Sequence, residues 1–337
     1  MRITVLIHLE KEDAKSYDAV ADQVTEGLRQ HGHEVSIHGV HGNPRQLIAG
    51  VARRKPEVIF NLMEMFGDNL LGASGVAGLL DLLDIPYTGC GPGEYYLQED
   101  KVLTKKLLAF ENIKYPDFAV FSQDAGLETG GNLRMPLFVK PLRMDASIGI
   151  DGKSLVHNAI DMMKRVVEIH ERVHDAALAE EYIDGREFYV GVVGNLQPQA
   201  FPPIEMDFSG MPDGLPRILD GKAKWDKNTA EYKGTRAVVA DLPDELRARL
   251  QETSLDAYRA LRVRDYGRID LRLTPTNEIY VIEVNASCYL ERDSEFAMAA
   301  AAAGVDYPTL LNRIVELTVE RHPTPGRKRG RRRKAAA

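Results

Sequence analysis

Two pairs of polar residues near the C-terminal end of the sequence could bind a cation together. Arg268 and Asp270 lie two residues apart in one apolar stretch, and Glu283 and Asn285 lie two apart in the next. Because side chains alternate across a β-strand, each pair shares one face. Carboxylate and amide oxygens are ligands that Mg²⁺ prefers, with water and phosphate oxygens completing its shell. The spacing predicts a magnesium site on paired strands, although Arg268 could instead form an ion pair with Asp270 or Glu283.

A phosphate-binding loop is predicted after Lys140. This lysine ends an apolar stretch, and the loop 142–149 that follows contains small residues. Backbone N–H groups of such a loop, together with a lysine, can bind phosphate. The order differs from the P-loop pattern. Lys101 shares a predicted helix with Lys105 and Lys106, where lysines are usually solvated, so Lys101 alone is weaker evidence than Lys140.

Three acidic residues, Glu180, Glu181 and Glu187, frame a predicted turn at residues 184–185. Acidic residues at turns are usually solvated. These three gain a functional meaning only beside the other motifs.

The first 93 residues alternate between predicted strands and helices. The predicted strands are residues 3–7, 35–37, 58–60 and 84–89, and apolar residues at helical spacing mark helices over 17–28 and 76–83. This alternation predicts a parallel sheet covered by helices. The glycine-rich segment 89–93 predicts the first domain boundary.

The later elements must hold the candidate residues. We expect a helix over 95–110, a strand over 137–141, two strands within 177–193, a helix over 244–261, a hairpin of 268–273 with 279–285, and two final helices before residue 322. Residues 197–236 lack periodicity. A segment of that length is usually functional or disordered.

Composition and charge exclude several classes of protein. The chain has 337 residues, 44% hydrophobic and 28% charged, as in globular proteins. No apolar stretch is long enough for a membrane span, and the N-terminus is expected to form a strand rather than a signal peptide. Cys90 and Cys288 make neither a disulfide framework nor a zinc set, which predicts a reducing cytoplasm.

A basic tail stands apart from an acidic body. Seven basic residues lie between Arg327 and Lys334, and the other 36 basic residues of the chain face 50 acidic ones. An acidic body argues against nucleic acid as the main ligand, because Lys and Arg dominate phosphate neutralisation. We predict that residues 323–337 are a disordered basic tail, and that nucleic acid could bind only through it.

Six motifs in order resemble the ATP-grasp ligases, and among them the D-alanine–D-alanine ligases. The matching stretches are 79–89 (LLDLLDIPYTG), 100–108 (DKVLTKKLL), 138–149 (FVKPLRMDASIG), 180–190 (EEYIDGREFYV), 267–270 (GRID) and 282–287 (IEVNAS). The resemblance covers about residues 57–320. It implies an α/β and α+β protein in which a Rossmann-like parallel-sheet domain precedes a two-part ATP-grasp fold. The implied units are residues 1–93, 94–181 and 182–322.

The resemblance also implies roles for individual residues. ATP would be bound by Lys101, Lys140, Ser147, Glu180, Glu181, Ile183, Glu187 and Lys224. Mg²⁺, or Mn²⁺ in its place, would be bound by Asp270, Glu283 and Asn285. Arg268, Lys224 and Ser147 are the implied catalytic residues, and Glu10, Tyr289 and Ser294 the implied substrate-binding ones.

The substrate region departs from the family pattern. After the expected metal ligand Asn285, the family has a Pro-Gly pair whose glycine N–H helps to form an oxyanion hole, whereas this chain has Cys288 and Tyr289. The segments around Glu10 and residues 61–64 differ as well. The chain therefore retains the nucleotide and metal motifs of the family, but the residues expected to form the substrate pocket differ.

The implied activity is ADP-forming ligation of a carboxylate to an amine through an acyl phosphate. D-alanine–D-alanine ligation, with a role in cell wall biogenesis, is the leading candidate. The alternatives are ligation of other amino acids or peptides, an ATP-binding regulatory protein without catalysis, and a nucleic-acid-associated factor. The expected binding partners are small amino acids or peptides, and no membrane association is expected. A homodimer follows from the resemblance alone.

Overall fold

Three parallel strands form the N-terminal sheet. The computed structural model describes residues 1–322 except 13, 15, 125, 145–146, 213–216, 220, 222–223 and 225. β1 (Arg2–His8), β2 (Glu34–Val40) and β3 (Val58–Leu62) lie in the order β2-β1-β3. Helices α1 (Val20–Gln30), α2 (Pro44–Arg54) and α3 (Gly72–Leu82) connect and cover them. The predicted parallel sheet is confirmed.

The predicted strand over residues 84–89 is wrong. There the described chain forms one isolated parallel bridge, in which Tyr87 pairs with Ile59. Pro86 has no N–H to donate to a ladder. Gly89 has a φ of +85°, and its N–H donates to Asp265 instead of a strand. The ladder therefore ends after one pair.

The helix predicted over 95–110 is two helices, α4 (Pro92–Glu99) and α5 (Lys101–Phe110). Asp100 separates them with an extended backbone, and its carboxylate accepts hydrogen bonds from the N–H groups of Val102 and Leu103. An aspartate in this N-cap position starts a new helix. The break places Lys101 in the first turn of α5.

A central antiparallel sheet follows. Its strands are β4 (Phe118–Phe121), β5 (Leu127–Gly130), β6 (Leu137–Pro141), β7 (Leu155–Val156) and β8 (Ala177–Glu181), in the order β5-β4-β8-β6-β7. Helix α6 (Ala159–Arg172) packs on this sheet through Val166 and Ile169.

The C-terminal sheet is antiparallel as well. Its strands are β9 (Arg186–Val193), β10 (Gln199–Ala200), β11 (Ile204–Asp207), β12 (Arg236–Val239), β13 (Tyr266–Leu273) and β14 (Ile279–Asn285), in the order β12-β11-β9-β13-β14, with β10 on β9. The helices are α7 (Ala230–Gly234), α8 (Asp244–Ala260), α9 (Glu295–Ala302) and α10 (Tyr307–Arg321). The described residues of the segment 197–236 thus form β10, β11, α7 and the start of β12, which are too short to show periodicity.

The predicted domain bounds stay a prediction, and the predicted basic tail 323–337 lies outside the described residues. None of the helices in the described part of the chain is long and apolar enough to cross a membrane.

Asp265 joins the N-terminal sheet to the C-terminal one. It is fully buried and accepts hydrogen bonds from the Gly89 N–H, the Thr318 hydroxyl and the Asn195 amide. Two guanidinium nitrogens of Arg321 lie 2.8 and 2.9 Å from its carboxylate. The carboxylate therefore connects the segment at Gly89 to the start of β13 and to the last turns of α10.

Histidines without metal-ligand spacing are ordinarily expected at the surface or in turns, but His38 is buried. Its side chain is 7% exposed and packs between β2 and α2. A Cβ atom on Gly50 would lie 2.0 Å from its Nε2, so only glycine leaves room for the ring. Burial lowers the pKa of His38, and Arg54 lowers it further.

This lowered pKa predicts a loss of stability in mild acid. Below a pH of about 6.5, the unfolded chain binds a proton that the folded protein resists, so the free energy of unfolding falls. We expect Tm to be lower at pH 5.5 than at pH 7.5, and expect His38→Asn to reduce that difference; calorimetry at both pH values measures it. His31→Asn, which changes an exposed histidine, is the control and should keep the wild-type difference. If the Tm difference between the two pH values were as large in His38→Asn as in the wild type, His38 would not be its source.

Candidate active site

A cleft between the central and C-terminal sheets collects the residues predicted to bind nucleotide and metal. Strands β6 and β8 supply one wall, and β9, β13 and β14 supply the other. The predicted residues that line it are Lys101, Lys140, Ser147, Glu180, Glu181, Ile183, Glu187, Lys224, Arg268, Asp270, Glu283 and Asn285. Their individual roles stay predictions.

The β13–β14 hairpin places its polar residues opposite one another. Asp270 pairs with Glu283 and Arg268 with Asn285, so all four share one face, as their spacing predicts. The register shifts between Asp270 and Leu271, where Ile282 is the extra residue. This β-bulge places Ile282 on the cleft wall. Strict alternation assigns it to the opposite face, so sequence reasoning missed it.

Arg268 forms the ion pair that was one alternative from the sequence. Its Nε and Nη2 donate to the two carboxylate oxygens of Asp270 at 2.8 and 2.9 Å. Its Nη1 lies 3.3 Å from Glu295, and the guanidinium lies 4.4 Å from the ring centre of Tyr189. Burial raises the pKa of Asp270 to about 6, against the opposing effect of Arg268.

The donor set fits a magnesium ion that is shared with a phosphate ligand. Two carboxylates face each other across the hairpin with the Asn285 amide beside them, and oxygen donors of this kind suit Mg²⁺. In the described part of the chain, no group of three or more His, Cys, Asp and Glu could hold a metal. Asn285 and oxygens from a bound phosphate are therefore needed to complete the shell.

Lysines approach these carboxylates from the central sheet and from α5. Lys101 Nζ lies 3.3 Å from a Glu283 oxygen and donates to the Met144 carbonyl at 2.9 Å. Lys140 Nζ lies 2.6 Å from Glu180 Oε1. Burial opposes ionisation of Glu283, but Lys101 and Lys140 outweigh it and lower the pKa of Glu283.

The expectation that the α5 lysines are solvated is wrong for two of the three. Lys101 and Lys105 are 6% and 2% exposed, while the Lys106 side chain is 54% exposed and pairs with Glu128. Positions four residues apart lie on the same face of a helix, and this face turns inward. The four-residue spacing of Lys101 and Lys105 was the sequence signal that could have predicted their shared burial.

Glu180 is buried rather than solvated. One carboxylate oxygen pairs with Lys140, and the other lies 3.0 Å from Lys105. Burial acts against the charged form, but the two lysines outweigh it and lower the pKa of Glu180 to about 2. The carboxylate is therefore ionised at neutral pH.

Glu187 belongs to a second buried network, with Arg272. Its carboxylate accepts a hydrogen bond from the Tyr189 hydroxyl at 2.6 Å and pairs with Arg272. Arg272 is 7% exposed and also donates to the carbonyl of Arg217 at 2.9 Å. Arg272 lies two residues after Asp270, so the alternation of side chains along β13 places it on the same face. Its position fixes Glu187 and anchors the segment above the cleft.

Two segments meet over the cleft. Ser147, in the predicted phosphate loop, donates its hydroxyl to the Leu219 carbonyl at 3.1 Å. Lys224, from the same segment as Leu219, also lines the cleft. The contact brings together the two segments that the sequence singled out around the nucleotide motifs.

A second cavity, of about 450 Å³, adjoins the hairpin at the carboxyl ends of β1 and β3. Glu10 and Tyr289, both predicted to bind substrate, line it, as does Cys288. The Tyr289 hydroxyl donates to Asp18 at 2.9 Å. Burial raises the pKa of the Cys288 thiol, so this cysteine is neutral at pH 7.

Ser294 does not line this cavity in the described structure. Its side chain accepts a hydrogen bond from the N–H of Ala297 and so caps α9. The structure thus gives Ser294 a local structural role, and its predicted role in substrate binding gains no support.

Comparisons with known proteins show which family the chain resembles in sequence. A family model described as "D-ala D-ala ligase C-terminus" matches residues 106–316. A D-alanine–D-alanine ligase of Desulforudis audaxviator is 30% identical over 304 residues, which cover 88% of this chain and 92% of that protein. An uncharacterized protein of Sinorhizobium fredii is 30% identical over 318 residues, covering 90% and 88% of the two chains.

Solved structures show the same fold. The D-alanine–D-alanine ligase of Bacillus anthracis complexed with ATP superposes with a TM-score of 0.72 at 23% identity, covering 96% of this chain and 98% of that one. The Coxiella burnetii enzyme gives 0.68 at 18% identity, covering 95% of each chain. With the family match over most of the chain, these likenesses lead to one conclusion. The chain belongs to the D-alanine–D-alanine ligase family and has the ATP-grasp fold.

Proposed function

We propose that the protein is an ATP-dependent, ADP-forming ligase that joins a carboxylate to an amine through an acyl phosphate. The observation that carries the proposal is the cleft itself. Lys101 pairs there with Glu283 of a hairpin whose oxygen donors fit Mg²⁺, and Lys140 lines the same cleft. Positive side chains beside a metal site are what phosphoryl transfer requires.

The cleft residues divide into three groups. Lys101, Lys140 and Lys224 would contact the phosphates. Glu180 and the backbone of Glu181 and Ile183 would hold the adenine, and Glu187 the ribose. Asp270, Glu283 and Asn285 would hold Mg²⁺, which when bound neutralises charge on the transferring phosphoryl group.

Two chemical steps follow. A substrate carboxylate attacks the γ-phosphorus of ATP, which gives an acyl phosphate and releases ADP. The amine of the second substrate then attacks the acyl carbon, and inorganic phosphate leaves. Arg268 would stabilise the oxyanion of the tetrahedral intermediate. Contact between Ser147 and Leu219 would exclude water that hydrolyses the acyl phosphate.

Small amino acids or peptides are the proposed substrates, and D-alanine is the first candidate. Glu10, which lines the second cavity, would bind a substrate ammonium group. Tyr289 extends to Asp18 from the position where the family has glycine, so its side chain narrows or reshapes this cavity. Amino acids other than D-alanine are therefore serious alternatives.

We also propose that the protein is cytoplasmic. That it forms a homodimer is a proposal that rests on the family resemblance alone. Cys90 and Cys288 are buried free thiols, which suits a reducing compartment.

A panel of amino acids tests the function. Purified protein with ATP and Mg²⁺ is given D- and L-amino acids singly and in pairs, and ADP release and product mass are measured. We expect at least one pair to stimulate ADP release and to give a product whose mass is the sum of the two amino acids less one water. If no amino acid or dipeptide stimulates ADP release above buffer, the ligase proposal is wrong.

A further inference from the structure

Lys105 is a buried charged residue that the proposed mechanism does not use. It is 2% exposed and does not line the described part of the cleft. Burying a lysine is costly unless the surroundings compensate its charge. Its position one turn after Lys101 therefore calls for an explanation.

The surroundings of Lys105 point to Glu180. Its Nζ lies 3.0 Å from Glu180 Oε2 and donates to the Pro116 carbonyl at 3.3 Å. The rings of Tyr115 and Phe118 lie 5.6 and 6.0 Å from the same nitrogen. These contacts enclose the ammonium group beside Glu180, which itself lines the cleft.

Glu180 also binds Lys140, the lysine proposed to contact phosphate. The 2.6 Å contact between Lys140 Nζ and Glu180 Oε1 directs the Lys140 ammonium group toward Glu180 in this structure. If Lys140 turned toward a nucleotide phosphate, Lys105 would be the cation that stays paired with Glu180; without Lys105, the buried carboxylate would lose both of these cations. Leaving a buried charge unpaired is strongly unfavourable.

We propose that Lys105 is a positioning residue that holds Glu180 in place, so that Lys140 can exchange Glu180 for a nucleotide phosphate. The inference rests on the proposed function, because it takes the cleft to be a nucleotide site. Lys105 keeps one oxygen of Glu180 paired throughout the exchange. Lys140 is then free to move without exposing an uncompensated buried charge.

The pairings within the cluster support this role. Lys101 pairs with Glu283, whereas Lys105 and Lys140 each pair with one oxygen of Glu180. Without Lys105, Lys140 would be the sole cation paired with Glu180 among the described side chains. Moving Lys140 to a phosphate would then leave the Glu180 carboxylate without either cation.

Nucleotide binding tests the proposal without substrate. We define the phosphate contribution as the ratio of the Kd for adenosine to the Kd for ADP, measured by calorimetry with Mg²⁺. Lys105→Met is expected to lower this ratio by at least about tenfold, mainly through weaker ADP binding. Lys106→Met, which removes the exposed neighbour, is the matched control and should leave the ratio unchanged.

A second pair of variants isolates the route through Glu180. In Glu180→Gln the acid that holds Lys140 is gone, so replacing Lys105 should no longer change the ratio. The double variant Lys105→Met/Glu180→Gln is therefore expected to match Glu180→Gln within about twofold, as in a double-mutant cycle. This comparison stands even if Lys105→Met alone does not fold, which circular dichroism would show.

Two outcomes would overturn the inference. The ratio could stay at the wild-type value in Lys105→Met, either because neither Kd changes or because adenosine and ADP weaken in parallel, as expected for a purely structural lysine. The ratio could also fall by the same factor when Lys105 is replaced in the Glu180→Gln background. Failure of the wild-type protein to bind ADP is a different result, since it contradicts the proposed function itself and this inference with it.

Discussion

Glu283→Gln is expected to lower the rate of ADP release by about 10²–10³-fold. The side chain faces Asp270 across the hairpin and pairs with Lys101, so it lies between the proposed metal and phosphate positions. The amide keeps the shape of the side chain but removes its negative charge, which weakens metal binding and leaves Lys101 without an ion pair to Glu283. The measurement is ADP release at saturating ATP and Mg²⁺, with an amino acid that supports wild-type turnover.

Glu278→Gln is the matched control on the same hairpin. Glu278 pairs with Lys114 at the exposed surface, with 45% and 55% of the two side chains accessible. Exposed ion pairs contribute little to the free energy of unfolding. The variant should therefore stay folded and keep the wild-type rate of ADP release. If the rate of ADP release by Glu283→Gln were within tenfold of the wild-type rate, the proposed role of Glu283 as a metal ligand would be wrong.

Asp265→Ala is expected to reduce the free energy of unfolding by about 3–5 kcal/mol. Alanine removes a fully buried carboxylate and leaves the Arg321 guanidinium, the Gly89 N–H and the Thr318 hydroxyl without this acceptor. The loss should appear as a lower urea midpoint. It should affect the junction of the N-terminal sheet with β13 and α10 first, because Asp265 connects these three elements.

Asp256→Ala provides the comparison for this variant. Asp256 is an exposed residue of α8 that pairs with Arg259 one turn away at 3.2 Å. Its replacement should change the free energy of unfolding by less than about 1 kcal/mol. Equal urea midpoints for the two variants would show that the buried network around Asp265 does not stabilise the protein.

Sequence patterns among residues close together in the chain predicted much of the fold. The alternation of strands and helices led to the parallel N-terminal sheet, and the two-residue period of the hairpin placed Asp270 and Glu283 on one face. The errors occurred where one residue changed the local geometry. Asp100 starts a new helix by capping it, and Gly89 ends the bridge at Tyr87 by turning the backbone.

The candidate site was predictable in its members but not in its pairings. Residue type and spacing named Lys140 and Glu283 because they suit phosphate and metal chemistry, whereas the family resemblance named Glu180. The sequence could not show that Lys140 lies against Glu180, because β6 and β8 become neighbours only when the central sheet forms. It also could not show the bulge at Ile282, since a register shift depends on both strands of the hairpin.

The sequence by itself determined which chemical groups are available: oxygen donors of a kind that suits a divalent cation, lysines of a kind that suits phosphate, and the order of motifs that the ligase family shares. The tertiary structure alone decided which charges are buried and what compensates them. Lys105 and Lys106 are adjacent and chemically identical, yet one is enclosed beside Glu180 and the other is solvated. The physical reason is that the cost of burying a charge depends on its partners, and these come from segments far apart in the chain.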